Sequence, residues 1–207
     1  MRTCGHRGRA TIEPRRIDAH DQHTAIFMTR VRALLTAAVL LPALGATLGG
    51  CATPATSKAM IPETVAVEKT HPYSVNVEVT GGRATEPTGT PQISNESFDE
   101  AISETLTLAK TFAKVENDKL ANYALEVIIF NVHQPGSEGA ASVTLETGWT
   151  LTNRLSGKVV WQTALRSTYT AAADTDITFV GRLKKATEGA AKDTIKQGVT
   201  EITRLEL

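Results

Sequence analysis

An α+β fold is what the larger, C-terminal part of this 207-residue chain predicts: the order β-α-β-β-β-α, a mixed four-stranded sheet with two helices packed on one face. Three observations lead there. Ser74–Val79 alternates polar and apolar residues with period two; Phe98 to Phe112 holds an apolar stripe at helical spacing; and three β-rich runs then precede a long C-terminal stripe, again helical.

Ser74-Val75-Asn76-Val77-Glu78-Val79 sets three valines on one face, the mark of a half-buried strand, and Gly81-Gly82 ends it. A polar loop with Pro87 and Pro91 leads to a helix. Ser97 and Glu100 have capping-box spacing, and the acidic residues around them suit a helix N-terminus. Phe98, Ala101, Ile102, Leu106, Ala109 and Phe112 carry the stripe to about Val115. Asn95-Glu96-Ser97 has the form of a glycosylation sequon and is read as helix capping.

Tyr123–Val132 is apolar on both faces and β-branched, which predicts a central strand covered on both sides. His133–Gly139 is a loop. Val143, Leu145, Thr147, Trp149 and Leu151 alternate into a third strand, Asn153–Gly157 is a hairpin connection, and Val159–Tyr169 is a fourth strand. Trp149 and Trp161 fall on consecutive strands and read as sheet-face packing. The last helix begins near Phe179, behind Asp174 and Asp176. Its stripe runs from Leu183 to Leu205 with small residues at its centre (Ala190, Ala191, Gly198), so it can approach a sheet closely. The first β-α-β should join parallel strands, and the two hairpins that follow should be antiparallel.

The formal net charge of zero is a cancellation. Residues 1–50 hold seven arginines and no lysine against Glu13, Asp18 and Asp21, a net of +4; residues 51–207 hold 15 basic and 19 acidic residues, a net of −4. At the join, Met28-Thr29-Arg30-Val31-Arg32 is a short basic region, followed by an uncharged run of Ala and Leu from Ala33 to Gly50. That run nearly has the ~20 residues that span a bilayer, but Pro42, Gly45, Gly49 and Gly50 point to a signal peptide with its cleavage site. Leu48-Gly49-Gly50-Cys51 resembles the bacterial lipobox, in which small residues before the cysteine fit the lipoprotein signal peptidase and the thiol receives diacylglycerol.

Four segments are therefore expected: an N-terminal extension over 1–27, read as upstream of the true start at Met28 or disordered; a signal peptide over 28–50; lipidated Cys51 and a flexible tether to residue 72; and a periplasmic α+β domain over 73–207. The tether, rich in Ala, Thr and Pro, would reach at most roughly 70 Å when extended. Cys4 would be lost with the extension, leaving no free thiol and no disulfide. Ala52, where an Asp would resemble an inner-membrane retention signal, favours the outer membrane, facing the periplasm.

Chemistry-bearing motifs are sparse. After Cys51 the only histidines are His71 and His133, no cysteine cluster or HExxH occurs, and so no metal or cofactor is expected. Gly136-Ser137-Glu138-Gly139 is one residue short of GxSxG, and His133 near Ser137 lacks an acid to orient it. Gly81-Gly82 opens a proline-bearing loop and does not form a phosphate cradle. An acidic domain gives nucleic acid no reason to bind, and Lys184, Lys185, Lys192 and Lys196 read as a solvated face.

With the lipobox and this element order, the chain resembles the small periplasmic lipoproteins of Gram-negative outer membranes, among them the lipopolysaccharide-assembly lipoprotein and the auxiliary lipoproteins of ABC lipid transporters. The stretches SNESFDEAISETL, YALEVIIFNV and SGKVVWQTAL look like that group's helix and strand phrases. The resemblance implies a non-enzymatic, palmitate-bearing envelope lipoprotein that supports assembly or lipid transport by binding a protein partner. The alternative is a periplasmic ligand-binding module or enzyme acting on a lipid, glycan or peptide. An apolar groove between helices and sheet would favour the alternative; a flat apolar patch or an open sheet edge would favour the protein partner.

Overall fold

A computed structural model describes residues 52–134 and 139–207. The elements are α1 (Ser57–Met60), β1 (His71–Thr80), α2 (Asn95–Leu108), β2 (Phe112–Val115), β3 (Tyr123–His133), β4 (Ala141–Asn153), β5 (Lys158–Ala171) and α3 (Phe179–Ile202). The α+β class and the order of the predicted elements hold. Among the described residues, however, the sheet has five strands, in the order β2-β1-β3-β4-β5, and there are three helices. β1 runs parallel to both β2 and β3, and the β3–β4 and β4–β5 pairs are antiparallel, as expected for the two hairpins.

The fifth strand comes out of the predicted helix. The stripe from Phe98 to Phe112 does not continue to Val115, because α2 stops at Leu108 in a Schellman motif: Thr111 N–H bonds Leu106 O (3.1 Å) and Lys110 N–H bonds Thr107 O (3.1 Å). Lys110 takes the left-handed conformation (φ 52°) that glycine usually supplies at this position. The chain reverses there, and Phe112 enters the core from β2. The N-terminal cap also lies one turn before the predicted box. Ser94 is the cap, its Oγ accepting from Ser97 N–H at 3.1 Å.

Alternation sorts the sheet into two faces. Val75, Val77 and Val79 of β1, Leu125, Val127 and Ile129 of β3, and Val143, Leu145, Trp149 and Leu151 of β4 are buried in the core that α2 and α3 cover. α3 lies close above β4 and β5 because its facing positions are small: a Cβ on Gly198 would stand 2.9 Å from the Trp149 ring. Trp149 is fully buried and donates its indole N–H to Thr147 Oγ1 (2.8 Å), while Trp161, opposite Leu151, is half-buried. Among the described residues no helix covers the other face, which corrects the expectation that β3 is covered on both sides. Ile128 and Phe130 point outwards, Phe130 61% exposed, and the Phe130 ring takes the space that a side chain at Gly148 would need.

Residues 52–72, read as a tether, are packed on the domain. Ala55 and Met60 are buried in the core, and α1 touches both α2 and α3. Glu188 of α3 holds the turn, accepting from Thr56 N–H (3.0 Å) and Thr56 Oγ (3.1 Å). His71 begins β1 and is buried against the end of α3, Nε2 lying 2.9 Å from Ile202 O. The reason is local chemistry: Ala55 and Met60 bury apolar side chains in the core, and a buried carboxylate supplies an acceptor for the Thr56 backbone N–H.

Candidate functional site

A groove of about 950 Å³ lies beside β1, and it exists because β2 is short. β2 pairs with β1 only as far as Val75↔Val115. Glu116 N–H still bonds Val75 O (2.9 Å); an Asp118 turn, with Leu120 N–H on Asp118 Oδ1 at 3.0 Å, then takes the chain away. β1 runs on to Thr80 with no strand of the described residues on that side. Since Val75 presents its backbone groups towards β2, period two makes Val77 and Val79 the residues that present theirs into the empty lane. Asn76 Nδ2 lies 3.4 Å from Val77 O and 3.3 Å from Glu116 O, and Asn76 Oδ1 accepts from Arg154 at 2.9 Å, which fixes the start of the opening.

The far wall is α2. Its apolar stripe (Phe98, Ala101, Ile102, Leu106) goes to the core, which turns Glu96, Asp99, Glu100, Ser103, Glu104 and Thr107 towards the groove at three- and four-residue spacings. With Glu78 of β1 the lining has five carboxylates, against the single ammonium of Lys119. Burial pushes the Asp99 carboxyl above its ordinary range, the nearby Glu78 charge adds to the rise, and the hydroxyl of Ser103 (3.3 Å) opposes it. Glu96, fully exposed, is lowered by a backbone hydrogen bond at the helix N-terminus and by Ser94. The lining contains no histidine or cysteine, and its apolar side chains are only Val77, Val79 and Val115. Among the described residues no three His, Cys, Asp or Glu side chains are grouped so that they could hold a metal ion. What the groove offers is backbone hydrogen bonding and negative charge.

The residues singled out from the sequence lie elsewhere. Leu48, Gly49, Gly50 and Cys51 fall outside the described residues, as does Ser137. The chain is described from Ala52, whose N–H bonds Pro87 O at 3.0 Å. His133 is exposed at the end of β3. No described helix is long and apolar enough to cross a membrane. No motif in the sequence marks the groove, although Glu96, Glu100 and Glu104 at four-residue spacing form a visible acidic ridge.

No family model matches the chain, and no curated protein does. Solved structures are similar in fold at low identity. A Xanthomonas campestris protein described as family-model DUF330 aligns with TM-score 0.50 and 12% identity, over 68% of this chain and 89% of its own. A hypothetical protein of Chlamydia trachomatis aligns with TM-score 0.51 and 10% identity, over 66% and 97%. A minor lipoprotein of Acinetobacter baumannii lies further off, with TM-score 0.41 and 12% identity over 69% and 96%. These likenesses bear on the fold, not on the activity.

Proposed function

We propose that this chain is a non-enzymatic lipoprotein, anchored through Cys51 to the periplasmic face of the outer membrane, that binds a protein partner in envelope assembly or lipid transport. The observation that carries the partner-binding reading is the open β1 edge: unpaired strand backbone is satisfied by another strand. The polar groove beside it does not suit an acyl chain. The anchor reading rests on the basic region, the apolar run and Leu48-Gly49-Gly50-Cys51. Cleavage before Cys51 removes the +4 segment and leaves the −4 chain. Acyl chains on Cys51, each buried CH₂ contributing about 0.8 kcal/mol, then hold a domain that has no charge attraction to anionic lipid.

Metabolic labelling with palmitate tests the anchor. Wild type should take the label and sediment with membranes, whereas Cys51→Ala should be unlabelled, folded and soluble. An unlabelled wild type overturns the reading. For the partner, co-purification from detergent-solubilised membranes should recover a stoichiometric protein; recovery of the chain alone after cross-linking contradicts it.

A further inference from the structure

We infer that the groove takes an extended, lysine- or arginine-rich segment of the partner, added to the sheet as a strand in the lane that β2 leaves empty. This names the chemistry of the partner and rests on the proposed function.

The lane and its charge come from independent features of the fold. The lane exists because β1 outruns β2 by the five residues Asn76–Thr80, about 16 Å of strand, enough to pair with four or five partner residues. The backbone of Val77 and Val79 supplies the ladder bonds, which set orientation without regard to side-chain identity. Selectivity comes from α2, which stands over the lane with Glu96, Asp99, Glu100 and Glu104, while Glu78 projects from β1 itself. On an added strand, alternate side chains would meet this wall. Cationic ones satisfy it, anionic ones are repelled, and large apolar ones find only three valines. Such a cation would also relieve the crowding of Asp99 by Glu78.

The test uses the full chain purified in detergent and a fluorescent seven-residue peptide alternating lysine and valine. Two controls accompany it: the same peptide with glutamate for lysine, and the lysine peptide N-methylated at alternate amides along its pairing edge. Binding should saturate for the first peptide and fail for both controls. The triple variant Glu78→Gln, Glu100→Gln, Glu104→Gln changes exposed side chains only and should weaken binding about tenfold, less so at high salt. Equal binding of the glutamate or N-methylated peptide overturns the inference, as does no saturation by about 1 mM. Self-association abolished by the triple variant also overturns it, since a second copy would then fill the lane. If the peptide fails while palmitate labelling and partner recovery persist, the groove assignment falls and the proposed function stands.

Discussion

Asp99 and Lys110 are the residues whose individual states have measurable consequences. The folded state raises the Asp99 carboxyl above its ordinary 3.8, so the native protein binds this proton more tightly than the unfolded chain. Its contribution to stability is therefore lost as pH rises from 3.8 through the raised value. Asp99→Asn should stabilise the protein at pH 7, with the gain shrinking to nothing once acid protonates the wild-type group in both states. Denaturant unfolding at several pH values measures this; a destabilised Asp99→Asn at pH 7 would contradict it. Lys110 holds a left-handed backbone conformation with a side chain attached. Lys110→Gly should stabilise by about 0.5–1 kcal/mol, relief of the steric cost being partly offset by glycine's greater unfolded-state freedom. A loss of stability on that change would show that the Lys110 side chain matters more than its backbone.

At the scale of elements, what the sequence made legible was what periodicity controls. The valines of β1, the alternation of β4 and the long small-centred stripe of α3 each encode one buried face, and each element forms where predicted. The end of α2 was not legible, because its signal is a lysine in place of glycine and the apolar phase passes unbroken from Leu106 to Phe112 across a chain reversal. β3 misled for a related reason: Ile128 and Phe130 supply apolar residues to a face that nothing in the described chain covers. The groove was hidden twice over, since it depends on β2 stopping short and on which flank of α2 faces outwards.

The same scale explains residues 52–60. Their composition reads as linker, yet Glu188 provides two hydrogen bonds to Thr56 across 132 positions of sequence. Glu188→Ala removes a charged acceptor, costing the docked state about 2 kcal/mol, or roughly thirtyfold in the undocked population. Trypsin should then cut after exposed Lys58 much faster than in wild type while the sheet stays intact. Unchanged cleavage would mean that burial of Ala55 and Met60 alone secures the segment.

For the whole molecule, the docked segment changes what a lipid on Cys51 would do. Ala52 is tied to the Pro87 backbone, so no long leash separates an acylated Cys51 from the domain. The loop that holds Pro87 would sit at the membrane surface, with the open β1 edge oriented by the anchor and not swept through a wide volume. Under the proposed function, such a fixed orientation would hold the Asn76–Thr80 edge towards the partner. The proposed anchoring depends first on the processing of Cys51, and mass spectrometry of the chain extracted from membranes tests that most directly. The mature N-terminus should be Cys51, its mass raised by a diacylglyceryl group and an amide-linked acyl chain. Recovery of a peptide in which Gly49-Gly50-Cys51 is unbroken and the thiol free would contradict it.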